Sequence, residues 1–180
     1  MLVGVDTRQN NTRLKFQIKT FTGRYTPIED RLRLDAVEEQ RNRQSLFMTR
    51  RLTDKIIPVM VEHLEAQTPE GMPSDLVQEI QQDKSRLVRA EAGSETSVEI
   101  DPEVVPWLCR TVHLTKTGTG LVIIFTHDNS IEASMPMSND NLRVVLDIFQ
   151  TLYRSADWGQ EAFPDWMQAP QDNEAPRQLN

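Results

Sequence analysis

Apolar and polar residues alternate at Leu14, Phe16 and Ile18, and this spacing of two predicts a half-buried strand over residues 13–20 with a basic outer face. Arg31-Leu32-Arg33-Leu34 repeats the alternation. The two runs are expected to pair as an antiparallel hairpin across the loop that holds Gly23 and Pro27.

The period then changes. Asp35, with Glu38 three residues on, has the acceptor pattern of a helix start. Gln44, Phe47, Met48, Leu52, Ile56, Met60 and Leu64 follow at three and four, with Ile57, Val59 and Val61 widening the stripe, so a long helix is predicted to about residue 67. Pro58 lacks the N–H that would bond the Asp54 carbonyl, which predicts a kink or break near residues 55–57.

Residues 68–73 form a proline- and glycine-bearing loop, Ser74 caps a second helix, and Leu76, Val77, Ile80, Leu87 and Val88 mark that helix as a charged surface element. Val112 and Leu114 precede Gly118-Thr119, and Ile123 and Phe125 come after it. A type II′ turn there sets Leu114 opposite Ile123 and Val112 opposite Phe125, on one side of a hairpin. Asp128-Asn129 turns the chain again, and Ile131, Ala133, Met135 and Met137 alternate along a third strand, which Pro136 places at a sheet edge or end.

Ser138 or Asn139 caps a final helix in which Leu142, Val145, Leu146, Phe149, Leu152 and Tyr153 recur at three and four, closing over the sheet. Residues 158–167, aromatic but proline-broken, are expected to pack back as a strap. Residues 168–180 have little to bury and are expected to be disordered.

With strands grouped rather than alternating with helices, the class is α+β: an antiparallel sheet of about five strands, an N-terminal pair plus a C-terminal three-strand meander, packed by the long kinked helix and the C-terminal helix. A small β-sandwich or barrel carrying a helical insertion is the alternative. Residues 1–167 are read as a single domain.

Composition narrows the setting. Hydrophobic residues make up 38% and charged ones 26%, the balance of a globular chain. The longest apolar runs are far short of the ~18 residues that cross a bilayer, and the first residues lack the marks of a signal peptide. Cys109 stands alone, so neither an intramolecular disulfide nor a thiolate cluster can form, which points to a reducing, cytoplasmic location. A net charge of −7 argues against a nucleic-acid backbone as partner.

Candidate chemistry is sparse. His113 and His127 fall on opposite hairpin faces and cannot share a metal, His63 reads as a boundary or surface histidine, and Cys109 lies about 13 Å from His113 along an extended strand, too far for a dyad. No metal or cofactor is implied. Arg43 and Arg50 share one helix face in the long-helix reading, with Arg51 nearby, and the three form a candidate anion or partner surface. Trp107, Arg110, His127 and Asp128 meet at strand ends as a candidate pocket for an enzyme or small-molecule binder.

Amphipathic surface without a reactive constellation favours a non-enzymatic interaction or assembly module, self-associating through the long helix and the aromatics Trp158, Phe163, Trp166 and Met167. An enzyme or binder working at the strand ends is the second reading, and nucleic-acid binding through the arginines the third.

Overall fold

The alternation in the N-terminal third builds four strands where the periodicity predicts two strands and a helix start. The computed structural model describes residues 14–38, 42–93, 97–128 and 130–168. Strands β1 (Leu14–Gln17), β2 (Thr20–Thr26), β3 (Arg31–Val37) and β4 (Arg43–Thr49) come first, then helices α1 (Arg50–Glu65) and α2 (Ser74–Ala92). Strands β5 (Trp107–Leu108), β6 (Thr111–Lys116), β7 (Gly120–Thr126) and β8 (Ile131–Ser138) come next, then helix α3 (Asn139–Ser155) and a short 3-10 helix at Asp165–Met167.

The class is α+β, with two mostly antiparallel four-stranded sheets rather than one sheet of five strands or a closed barrel. Their orders are β1-β8-β7-β6 and β2-β3-β4-β5. The first predicted strand is divided between them. β1 runs parallel to β8, and the chain then changes sheets, Ile18 N–H donating to the Ser134 carbonyl (2.8 Å) and Lys19 N–H to that of Val37 (2.9 Å). A second change joins β5 to β6, where Cys109 N–H donates to Phe47 and Arg110 N–H to Thr126. Strands that switch sheets at corners let both inner faces share one core.

The predicted helix start at Asp35 is corrected to a β-hairpin. Leu32 pairs with Met48 and Leu34 with Leu46, all buried, so period two holds on both strands. Asp35 caps no helix: its carboxylate accepts from Arg33 Nε and Ser45 Oγ, each at 2.7 Å. The helix begins fifteen residues later than predicted (35 to 50), where the Thr49 hydroxyl accepts from Leu52 N–H at 3.3 Å. Pro58 does not break α1. It lies on the exposed side, away from the packed face of Ile56, Ile57, Met60 and Leu64.

The central hairpin keeps the predicted register, Val112 opposite Phe125 and Leu114 opposite Ile123. Its turn is different. Gly118 has no positive φ, so the tip is not type II′, and Thr117 N–H closes it by donating to the Gly120 carbonyl at 2.9 Å. Gly120 is the residue that must be glycine, since a Cβ there would stand 1.9 Å from the Met137 carbonyl oxygen. β8 is an interior strand, not an edge. Pro136 is tolerated because β1 pairs only with residues 131–134, so no partner on that side needs its N–H.

α3 packs on β2, β7 and β8, burying Leu142, Val145, Leu146, Phe149, Leu152 and Tyr153. Gly23 makes room for it, since a Cβ there would meet Leu152 Cδ1 at 2.8 Å. Trp158, Phe163, Trp166 and Met167 are buried, with Tyr153 edge-on to Trp158 and to Phe163 at 5.1 Å each. The indole N–H groups of Trp158 and Trp166 donate to Asp30 and Glu65. The readings of residues 1–13 and of the tail from 169 lie outside the described residues, as does Asn129 of the predicted turn.

Candidate functional site

The three arginines do not form one surface. Arg43 opens β4 and Arg50 opens α1, so the strand holds them about 20 Å apart where a helix would have stacked them. Arg43 Nη1 donates to the Glu99 carbonyl at 2.6 Å. Arg50 lies 3.7 Å from Asp54 and 3.9 Å from Glu161, with its guanidinium 6.0 Å from the Trp158 ring centre. Arg51 is exposed beside it.

The strand-end residues are brought near one another at the β5–β6 corner, where Trp107 and His127 spend their polar groups on the fold while Arg110 is exposed. Trp107 Nε1 donates to Gln44 at 3.1 Å, and His127 Nδ1 donates to the Leu108 carbonyl at 2.6 Å. Asp128 lies 4.0 Å from His127 Nε2. Its carboxyl is held below the usual range by the Ser130 hydroxyl and backbone N–H, with smaller help from His127 and Arg110. The neighbouring Cys109 is buried, and desolvation pushes its thiol up to about 11, which leaves it a weak nucleophile at neutral pH.

His63 is corrected from a boundary position to a buried one, its Nε2 lying 3.0 Å from Asn139 Oδ1 where α1 meets α3. Among the described residues no group of three or more His, Cys, Asp or Glu side chains could hold a metal ion, and no helix is long and apolar enough to cross a membrane. Two further clefts have volumes of about 340 Å3 beside Gly23 and about 620 Å3 beside β1.

The unusual element is α2. Its predicted cap is corrected: Ser74 is the first helical residue after Pro73, and its hydroxyl is 3.0 Å from that of Thr68. On a helix of 3.6 residues per turn, Leu76, Ile80 and Leu87 fall within an arc of about 40°. That arc faces outward. The three side chains are 53%, 56% and 65% exposed, with Val88 on the flank and Met72 in the preceding loop also exposed.

The polar side of α2 faces the body instead, and its only buried residues among those described are Gln78 and Gln82. Gln78 Nε2 donates to the Leu64 carbonyl and to the Thr68 hydroxyl, both at 2.9 Å, while its Oε1 accepts from Arg143 Nη2 at 2.6 Å. Gln82 Nε2 donates to the Arg143 carbonyl at 3.1 Å. Arg86 donates to Asp147 at 2.9 Å and to the Met167 carbonyl at 3.2 Å, and Arg89 lies 3.7 Å from Asp147.

Arg143 sits in this seam 6% exposed, and desolvation lowers its affinity for the proton against the smaller pull of Asp140. Among the described residues nothing bonds its Nη1 or Gln82 Oε1. A seam of this kind gains little from burying apolar surface, and its orphaned atoms carry a desolvation cost. The orientation of α2 therefore sets its polar bonds against four exposed aliphatic side chains.

The sequence pattern marks α2 as a charged surface helix without saying which of its sides meets solvent. The available signal was the polar stripe Gln78, Gln82, Arg86 and Arg89, which has meaning only beside Arg143 and Asp147, some sixty residues on. Comparison of the chain with protein-family models, with curated proteins and with solved structures finds no match.

Proposed function

We propose that this chain is a non-enzymatic protein-interaction module whose docking element is the outer face of α2. The observation that supports the reading is the inverted packing of that helix, polar side inward and Leu76, Ile80 and Leu87 each more than half exposed. An aliphatic side chain that passes from such exposure to full burial gains roughly 1 kcal/mol, so a partner that covers the stripe gains several. Large exposed apolar patches on folded proteins mark interaction sites. The aromatics that the sequence pattern suggests for that role, Trp158, Phe163, Trp166 and Met167, are already buried.

Arg43, Trp107 and His127 support the same reading from the other side, because their polar groups bond within the fold. A reducing, cytoplasmic setting suits the lone buried Cys109.

Lys84 stands on the flank of the stripe and reports on what covers it. Amine-directed cross-linking of the full chain in its own cells, read by mass spectrometry, is expected to join Lys84 to a second polypeptide. Leu87→Glu, at an exposed position that leaves the fold intact, is expected to abolish those links. Lys84 cross-links confined to the same chain, or intermolecular links unaffected by Leu87→Glu, would overturn the reading.

A further inference from the structure

We infer that the occupant of the α2 face is a second copy of this chain, docked helix against helix in parallel register. The inference rests on the reading of α2 as the docking element and adds the identity of the partner.

The first support is the spacing of the stripe. Leu76, Ile80, Asp83, Leu87 and Ala90 are separated by four, three, four and three residues, which is the seam of a two-stranded coiled coil over two heptads. Ile80 and Leu87 take one core position, and Leu76, Asp83 and Ala90 the other. β-Branched residues at the first and leucine at the second favour two strands, and Ile80 and Leu76 obey that rule. The body-facing residues Gln78, Gln82 and Arg89 lie on the opposite side of the helix, so two copies meet along this seam with their cores turned away from each other.

The second support is charge. In a parallel pair the residue before a first core position faces the residue five further along the other helix. Glu79 of one copy thus meets Lys84 of the other, and by two-fold symmetry the contact forms twice. Both side chains are exposed, and among the described residues neither has a hydrogen bond or ion pair within the chain. Five residues apart on one helix, they cannot reach each other. At the next such pair Arg86 is already held by Asp147 and the Met167 carbonyl, so the charge complementarity rests on Glu79 and Lys84. An antiparallel pairing of the same seam sets Lys84 against Val77 and leaves it unpartnered.

Asp83 is the one seam position that opposes the pair, since two copies bring its carboxylate against its own image. It is held in the single chain by an exposed contact to Arg86 at 3.4 Å. The pair is accordingly weak, and Asp83→Asn is expected to tighten it about tenfold.

Sedimentation equilibrium of the full chain tests the inference. The 20.7 kDa chain is expected to approach twice that mass with rising concentration, and Leu87→Glu to remain single. Glu79→Lys and Lys84→Glu, each of which sets like charges together, are expected to weaken association several-fold, and an equimolar mixture of the two to recover it. Leu87→Cys is expected to form an interchain disulfide on mild oxidation, which an antiparallel pair would hold too far apart.

A chain that stays single at every concentration, a mixture that fails to recover, or a Leu87→Cys that does not cross-link would overturn the parallel self-pair. If the chain stays single while Lys84 still cross-links to a different polypeptide in cells, self-pairing falls and the docking role stands. If those cross-links are absent as well, both fall.

Discussion

Helices α2 and α3 are nearly equal in length, 19 and 17 residues, they pack against each other, and each is apolar on one side and polar on the other. α3 places its apolar side on the sheets, and eight of its residues are buried. α2 does the reverse. The difference separates two uses of one pattern, because α3 obtains its stability from the core it closes, whereas α2 is held by glutamine and arginine bonds and keeps its apolar side free.

The largest effect that can break this comparison is in α3. Phe149→Ala, at a residue 1% exposed, is expected to lower stability by about 3–5 kcal/mol in chemical denaturation. Gln78→Ala comes next, at about 2–3 kcal/mol, because it removes two donor bonds and strands Arg143 Nη2 in the seam. A loss below about 0.5 kcal/mol, half of what one net hydrogen bond contributes, would show that the polar seam does not hold α2.

Alkaline titration gives a smaller effect that sharpens the contrast. Desolvation raises the Tyr153 hydroxyl on α3, with the bond to Asp54 adding to it, and burial raises the Cys109 thiol from 9.0 to about 11. A group whose pKa is higher folded than unfolded contributes fully below the unfolded value and is lost as pH rises. Stability is therefore expected to fall between about pH 9 and 11, and Cys109→Ala together with Tyr153→Phe to flatten the decline. The smallest effect belongs to α2, where Leu87→Ser, measured at dilution, is expected to change stability by no more than about 0.5 kcal/mol.

What was legible in the sequence was local. The Val112/Phe125 and Leu114/Ile123 pairs could be read because a short turn fixes the register of two strands that alternate on their own. α3 was legible because its stripe is dense and its cap, Ser138, stands beside it, accepting from Asn141 N–H at 3.3 Å. β4 was misread because Gln44, Phe47 and Met48 also fit a helical spacing, and only pairing with β3 reveals that Leu46 and Met48 share a face.

The two sheets were merged because the change at Ile18 and Lys19 depends on partners more than a hundred residues away in one case, Ser134, and near in the other, Val37. Of the candidate site, the pattern showed that α2 has an apolar side but not which way it turns. That direction is set by Arg143 and Asp147, which no local spacing connects to it.

Thiol labelling at two positions of α2 tests the inversion most directly. In dilute solution Ile80→Cys should react with a maleimide at close to the rate of a free thiol, while Gln82→Cys, one half-turn around the helix, should react slowly until the protein unfolds. Fast labelling at 82 with protection at 80 would mean that α2 packs by its apolar side, and the exposed face on which the account depends would not exist.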